Sequence, residues 1–138
     1  MRGQGIVVTD KTGSILNTIK CDVSTVCHLH TSKDTIFYTD FEKNTVHCCN
    51  MLGEEIWIFN DESVIRPQGV SIDNNQNVFV VGQFSNTLTI IQHDGTVSKT
   101  LLKESNGLDH PFAVYFNKNN NSLVLSDKPG SLALYNVI

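Results

Sequence analysis

The strongest constraint on this chain is that it repeats. In GVSIDNNQNVFVVG (69–82), Val70 and Ile72 share one face of an extended segment and Ser71 takes the other. Asn74-Asn75-Gln76-Asn77 has turn composition. Val78-Phe79-Val80-Val81 is apolar on both faces, which predicts a strand covered on both sides. Leu88-Thr89-Ile90-Ile91 is a third extended segment, His93-Asp94-Gly95 carries an Asp-Gly hairpin signal, and Val97 to Leu102 is a fourth. The same order recurs upstream, with strands at Val26, Ile36-Phe37-Tyr38, Val46 to Cys49 and Ile56 to Phe59. Downstream, Ala113 to Phe116, Leu123-Val124-Leu125 and Leu132 to Tyr135 repeat the first three. Landmarks keep step: Val26, Val70 and Val114 are spaced 44 and 44, Gly13, Gly53 and Gly95 are spaced 40 and 42, and Pro67 and Pro111 lie 44 apart.

A unit of roughly 43 residues holding four strands is the signature of a β-propeller blade. A four-stranded sheet buries both faces only when stacked between neighbours, so its middle strands read as continuous apolar runs. A sandwich would instead show alternation on most strands. The expected fold is therefore all-β: a partial six-bladed β-propeller of about three four-stranded antiparallel blades. Residues 1–22 form the end of one blade (Ile6 to Thr9 and Ile15 to Ile19 as its third and fourth strands), 23–62 and 63–106 are full blades, and 107–138 is an incomplete last one. About half a ring cannot close alone and has open edges. It is expected to belong to a longer protein, to be a truncation, or to associate with a second copy through those edges.

Charge narrows the partner. The 138 residues carry 10 Lys and Arg against 14 Asp and Glu, scattered singly, without the basic stripe of a dedicated nucleic-acid binder. No apolar run reaches the length of about 18 residues that spans a bilayer, and the start is too short in apolar residues for a signal peptide. Four cysteines are too few for a disulfide scaffold; Cys48 and Cys49 are adjacent and point to opposite faces of a strand. Free thiols in a reducing compartment, the cytoplasm, are the expectation. Asn120-Asn121-Ser122 is a glycosylation sequon that matters only in a secreted protein.

The unit RPQGVSIDNNQNVFVVGQFSNTLTIIQHDG (66–95) resembles an NHL repeat, with its Pro and Gly before the inner strand, Asp at that strand's end and Asp-Gly turn after the third. HPFAVYFNKNNNSLVLSDKPGSLALYNV (110–137) keeps the Pro and Asp127 but has Ala113 for the Gly, and 24–53 lacks both. The run is similar to the C-terminal propeller of tripartite-motif proteins with NHL repeats. The segment IFYTD (36–40) also resembles the YWTD repeat of lipoprotein-receptor propellers. The first resemblance implies a module that recognises a substrate protein, or alternatively an RNA, within a ubiquitin-ligase-like protein. Ligase chemistry would lie in a RING domain. This chain has no Cys-x-x-Cys and so lacks zinc-ligand spacing.

In such propellers the loops from second to third strand, and from one blade to the next, share a face. Here that face carries Phe41, Lys43, Arg66, Phe84, His110 and Lys128, the candidate partner-binding residues. Phe41 and Phe84 are expected at the same loop position in successive blades. They are either binding anchors of the aromatic and Arg type or rings folded back on blade edges. The face is near charge balance, which favours a protein partner over RNA. His28-x-His30, with His47 and Cys48, makes a metal site imaginable, but His30 is expected in the turn and no carboxylate recurs at ligand spacing. Trp57 is expected to cover a blade flank. Asp73 and Asn117, which end inner strands where gluconolactonase-like propellers hold a cation, fit a turn role better. No Ser-His-Asp elbow, phosphate loop or HExxH motif is present. The expectation is no catalytic residue, no metal and no cofactor. The gluconolactonase-like metal-dependent hydrolase is the enzymatic alternative.

Overall fold

The structure is a computed structural model that describes residues 5–20, 25–128, 130 and 132–136, without the side chains of Cys27, Leu132 and Leu134. Among the described residues, thirteen strands form four antiparallel sheets. The first pairs β1 (Ile6–Thr9) with β2 (Ile15–Ile19). The second runs β3 (Val26–Ser32), β4 (Thr35–Asp40), β5 (Thr45–Asn50), β6 (Glu55–Phe59) in spatial order. The third repeats that order with β7 (Pro67–Ile72), β8 (Val78–Gly82), β9 (Thr87–Ile91) and β10 (Ser98–Leu102). The last holds β11 (Ala113–Asn117), β12 (Ser122–Ser126) and β13 (Leu132–Asn136). Among the described residues no helix is long and apolar enough to cross a membrane.

The doubly apolar strands are explained by what lies on either side of them. Val78 and Val80 of β8 pack with Phe37, Cys48, Trp57 and Phe59 of the preceding sheet. Phe79 and Val81, pointing the other way, pack with Val114, Phe116, Leu123 and Leu125 of the following sheet. A third cluster joins Ile19 of β2 to Ile36, Tyr38 and Cys49. Cys48 and Cys49 thus serve two different seams as buried thiols. Burial, then the neighbouring Cys49 and Glu55, pushes the Cys48 thiol up to about 12.

Trp57 of β6 lies under the β9–β10 turn of the next sheet, where its Nε1–H donates to the His93 carbonyl at 3.0 Å. The turn glycine, Gly95, has φ +77°, and a Cβ there would come within 2.6 Å of the indole. Inner strands also meet edge to edge. Gly69 N–H donates to the Phe112 carbonyl at 3.0 Å and Phe116 N–H to Ser71 Oγ at 2.9 Å, while Thr39 Oγ1–H, from the second strand β4, donates to the Gln68 carbonyl of β7 at 2.8 Å. A Cβ on Gly69 would lie 2.8 Å from Ala113 Cα, so this approach needs glycine for space rather than for conformation.

Candidate functional site

The loops at one end of the sheets are built on a repeated device. In the β4–β5 loop, Asn44 (φ +56°) points its Oδ1 at the next connection and accepts the N–H of Arg66 at 2.8 Å. In the β8–β9 loop, Asn86 (φ +54°) does the same for the N–H of His110, again at 2.8 Å. Arg66 and His110 each take the left-handed conformation (φ +56° and +47°) immediately before Pro67 and Pro111. A non-glycine residue at positive φ is uncommon and needs support from its surroundings. Here the support is the asparagine of the preceding loop. Two further bonds lock the seam: Gln83 N–H donates to the Arg66 carbonyl and Phe84 N–H to the Ile65 carbonyl, both at 3.1 Å.

This backbone brings four of the six candidates into one cluster. The Arg66 guanidinium carbon lies 5.0 Å from the centre of the Phe41 ring and 5.3 Å from that of Phe84, which come from different sheets. Arg66 also pairs with Glu42 Oε1 at 2.8 Å. Phe84 meets His110 edge to face at 6.1 Å, and His110 Nδ1 lies 2.6 Å from Asp109 Oδ1. Phe84 is 58% exposed, so its ring does not fold back to cover a blade edge, whereas Phe41 is half-buried. Lys43 stays on its own loop, 3.9 Å from buried Asp40. Exposed Lys128 joins the face through its backbone N–H, which donates to the Asp109 carbonyl at 3.2 Å.

Two details differ from expectation. Phe41 and Phe84 are not at the same loop position: Asp40 pairs with Thr45 and Gly82 with Thr87, which makes Phe41 the first residue of its loop and Phe84 the second. The offset lets the two rings approach Arg66 from different places. His30 is not in a turn but within β3, paired with Phe37, because the reversal is completed by Lys33 (φ +54°) and Asp34. His28, His30 and Cys48 therefore share one face of the sheet, while His47 lies on the other, stacked on Tyr38 at 4.5 Å. No group of three or more His, Cys, Asp or Glu that could hold a metal ion occurs among the described residues. Asp73 Oδ1 accepts the N–H groups of Asn75 and Asn77 and Asn117 Oδ1 that of Asn119, so each closes its own turn.

Asn44, Asn86, Glu42 and Asp109 were not singled out from sequence. For the asparagines a signal exists: the pair Asn-Thr recurs at 44–45 and 86–87, at the same place in each unit.

No protein-family profile matches the sequence, and no curated protein matches it. Solved structures do. A streptogramin B lyase shares 17% identity over 98% of this chain and 48% of its own, with a TM-score of 0.67. Virginiamycin B lyase from Staphylococcus aureus shares 13% over 98% and 49%, with a TM-score of 0.68. A structure in a nidogen/laminin complex shares 13% over 98% and 56%, with a TM-score of 0.77. These neighbours are β-propellers. The chain folds as part of a β-propeller. It spans about half the length of these propeller chains.

Proposed function

We propose that the chain is a non-catalytic recognition module that binds a protein partner through the face bearing Phe41, Arg66, Phe84 and His110. We further assign it to the substrate-recognition part of a tripartite-motif ubiquitin-ligase-like protein, on the strength of the NHL-like repeats, acting in the cytoplasm. The observation that carries the binding role is the Arg66 guanidinium held between two phenylalanines from different sheets. Arginine and aromatic residues supply most interface hot spots. An arginine already fixed by two rings and Glu42 loses little rotamer freedom on binding, which leaves more of its contact energy as affinity. A protein fits better than RNA because three of the four basic groups here already face a carboxylate, Arg66 that of Glu42, Lys43 that of Asp40 and His110 that of Asp109, which leaves Lys128. Phosphate recognition needs cations free to replace counterions.

The test is affinity capture with the chain, followed by direct titration of the purified captured species against wild type, Phe84→Ala and Arg66→Gln. Each variant is expected to weaken binding about 30-fold, as for a hot spot of roughly 2 kcal/mol, with the melting temperature unchanged. Undiminished binding by the double variant refutes the face. Capture of RNA, with affinity falling steeply between low and moderate salt, refutes the protein reading. A melting temperature raised by divalent cations points instead to a metal-dependent propeller.

A further inference from the structure

At the opposite end of the inner strands, away from Arg66 and His110, lies a cavity of about 490 Å³. It is lined by His30 of β3, residues 70–72 of β7, and residues 114–119 of β11 and its turn. That volume is within the range of small-molecule sites, about 300–1,000 Å³. Its chemistry is one-sided. In a chain with more acids than bases, no Asp or Glu lines it, while Lys118 and His30 do. Lys118 has no ion pair among the described residues, and its charge, after burial, helps to hold the His30 imidazole below its usual pKa.

Two of the remaining polar side chains have a donor to spare. Ser71, 3% exposed, accepts the Phe116 N–H on its Oγ, and its own hydroxyl proton has no acceptor among the described residues. Asn117 accepts the Asn119 N–H on Oδ1, which leaves its NH₂ group to donate. Val70, Ile72 and Val114 also border the cavity but are themselves buried in the cores between sheets, so little apolar side-chain surface faces it. An acid-free pocket of this volume with two bases and spare donors matches a ligand that carries negative charge and acceptors on an organic body larger than a bare ion.

We propose that this cavity is a binding site for a small organic carboxylate, its carboxylate held by Lys118 with His30 and its body filling the space between the inner strands. The site is independent of the Arg66 face. Benzoate serves as the probe, titrated into the 138-residue chain and followed by amide chemical shifts at Asn117–Asn119. Inorganic phosphate tests a bare anion and benzamide the uncharged body. Saturable shifts with benzoate are expected, weakened about tenfold by Lys118→Ala, the scale of one charge-assisted hydrogen bond. His30→Gln should also weaken binding, and Lys11→Ala, on an exposed turn outside the cavity lining, should not. Lys118 is exposed at a turn, so its loss leaves the fold intact. The proposal is overturned if benzamide binds as well as benzoate, if phosphate binds as tightly, or if neither Lys118→Ala nor His30→Gln changes the benzoate shifts.

Discussion

Replacing Gly69 by alanine tests the packing of inner strands directly. The new methyl would meet Ala113 Cα at 2.8 Å, Val114 N at 2.9 Å and the Phe112 carbonyl oxygen at 3.1 Å. All three are backbone atoms, which cannot rotate away as a side-chain tip would. Relief requires β7 and β11 to separate by several tenths of an ångström, against the Gly69–Phe112 and Phe116–Ser71 hydrogen bonds that tie them. Overpacking of this kind costs about 1–3 kcal/mol, and weakening two interstrand bonds adds roughly 0.5–1.5 kcal/mol each at most. A loss of about 2–6 kcal/mol follows, against a small gain from the lower chain entropy of alanine, about 0.4–1 kcal/mol. Urea denaturation of Gly69→Ala beside wild type measures it, with Gln68→Ala as the neighbour that forfeits only a side-chain bond to Gln83 at 3.1 Å. A Gly69→Ala midpoint within experimental error of Gln68→Ala would refute the close-approach account.

Three further outcomes are expected. Thr89 is fully buried in β9 and its Oγ1 has no hydrogen-bond partner among the described residues, so Thr89→Val should stabilise the chain by about 1–2 kcal/mol in the same denaturation assay. Burial holds His28 and His30 below the usual 6.5, so the unfolded chain binds protons first as pH falls, and stability should drop progressively below about pH 6.5. His28→Gln with His30→Gln should flatten that slope, with NMR titration of the two imidazoles as the check. Asp94 and Asp10 are held below 3.8, chiefly by side-chain hydrogen bonds from Thr96 and Thr12. Their stabilisation is present above that pH and lost as pH falls through the lowered values, a loss that Asp94→Asn should diminish when midpoints at pH 5 and pH 3 are compared.

What the sequence made legible follows the length scale of the forces. Val78 to Val81 announced a strand buried on both faces because burial of alternate side chains is written directly into residue type. The 44-residue step from Val70 to Val114 announced the stacking because each sheet solves the same packing problem. The site was less legible. Arg66, Phe41 and Phe84 could be placed on one face from their loops, but their mutual approach depends on one residue of offset between two four-residue loops. The role of Asn44 depends on a partner 22 residues away, and no local pattern encodes that distance. The cavity was not visible at all, since His30, Ser71 and Lys118 belong to three different sheets or turns, and His30 stood out only beside His28.

The bond from each loop asparagine to the residue before the next proline separates pose from identity. Arg66 and His110 stand in the same backbone conformation, gripped through the main chain, with quite different side chains. The grip works as a socket and the side chain as an interchangeable bit. A propeller built this way can change what it displays at each socket without renegotiating its fold. The side chains at positions 66 and 110 are then open to exchange, provided Asn44 and Asn86 are kept.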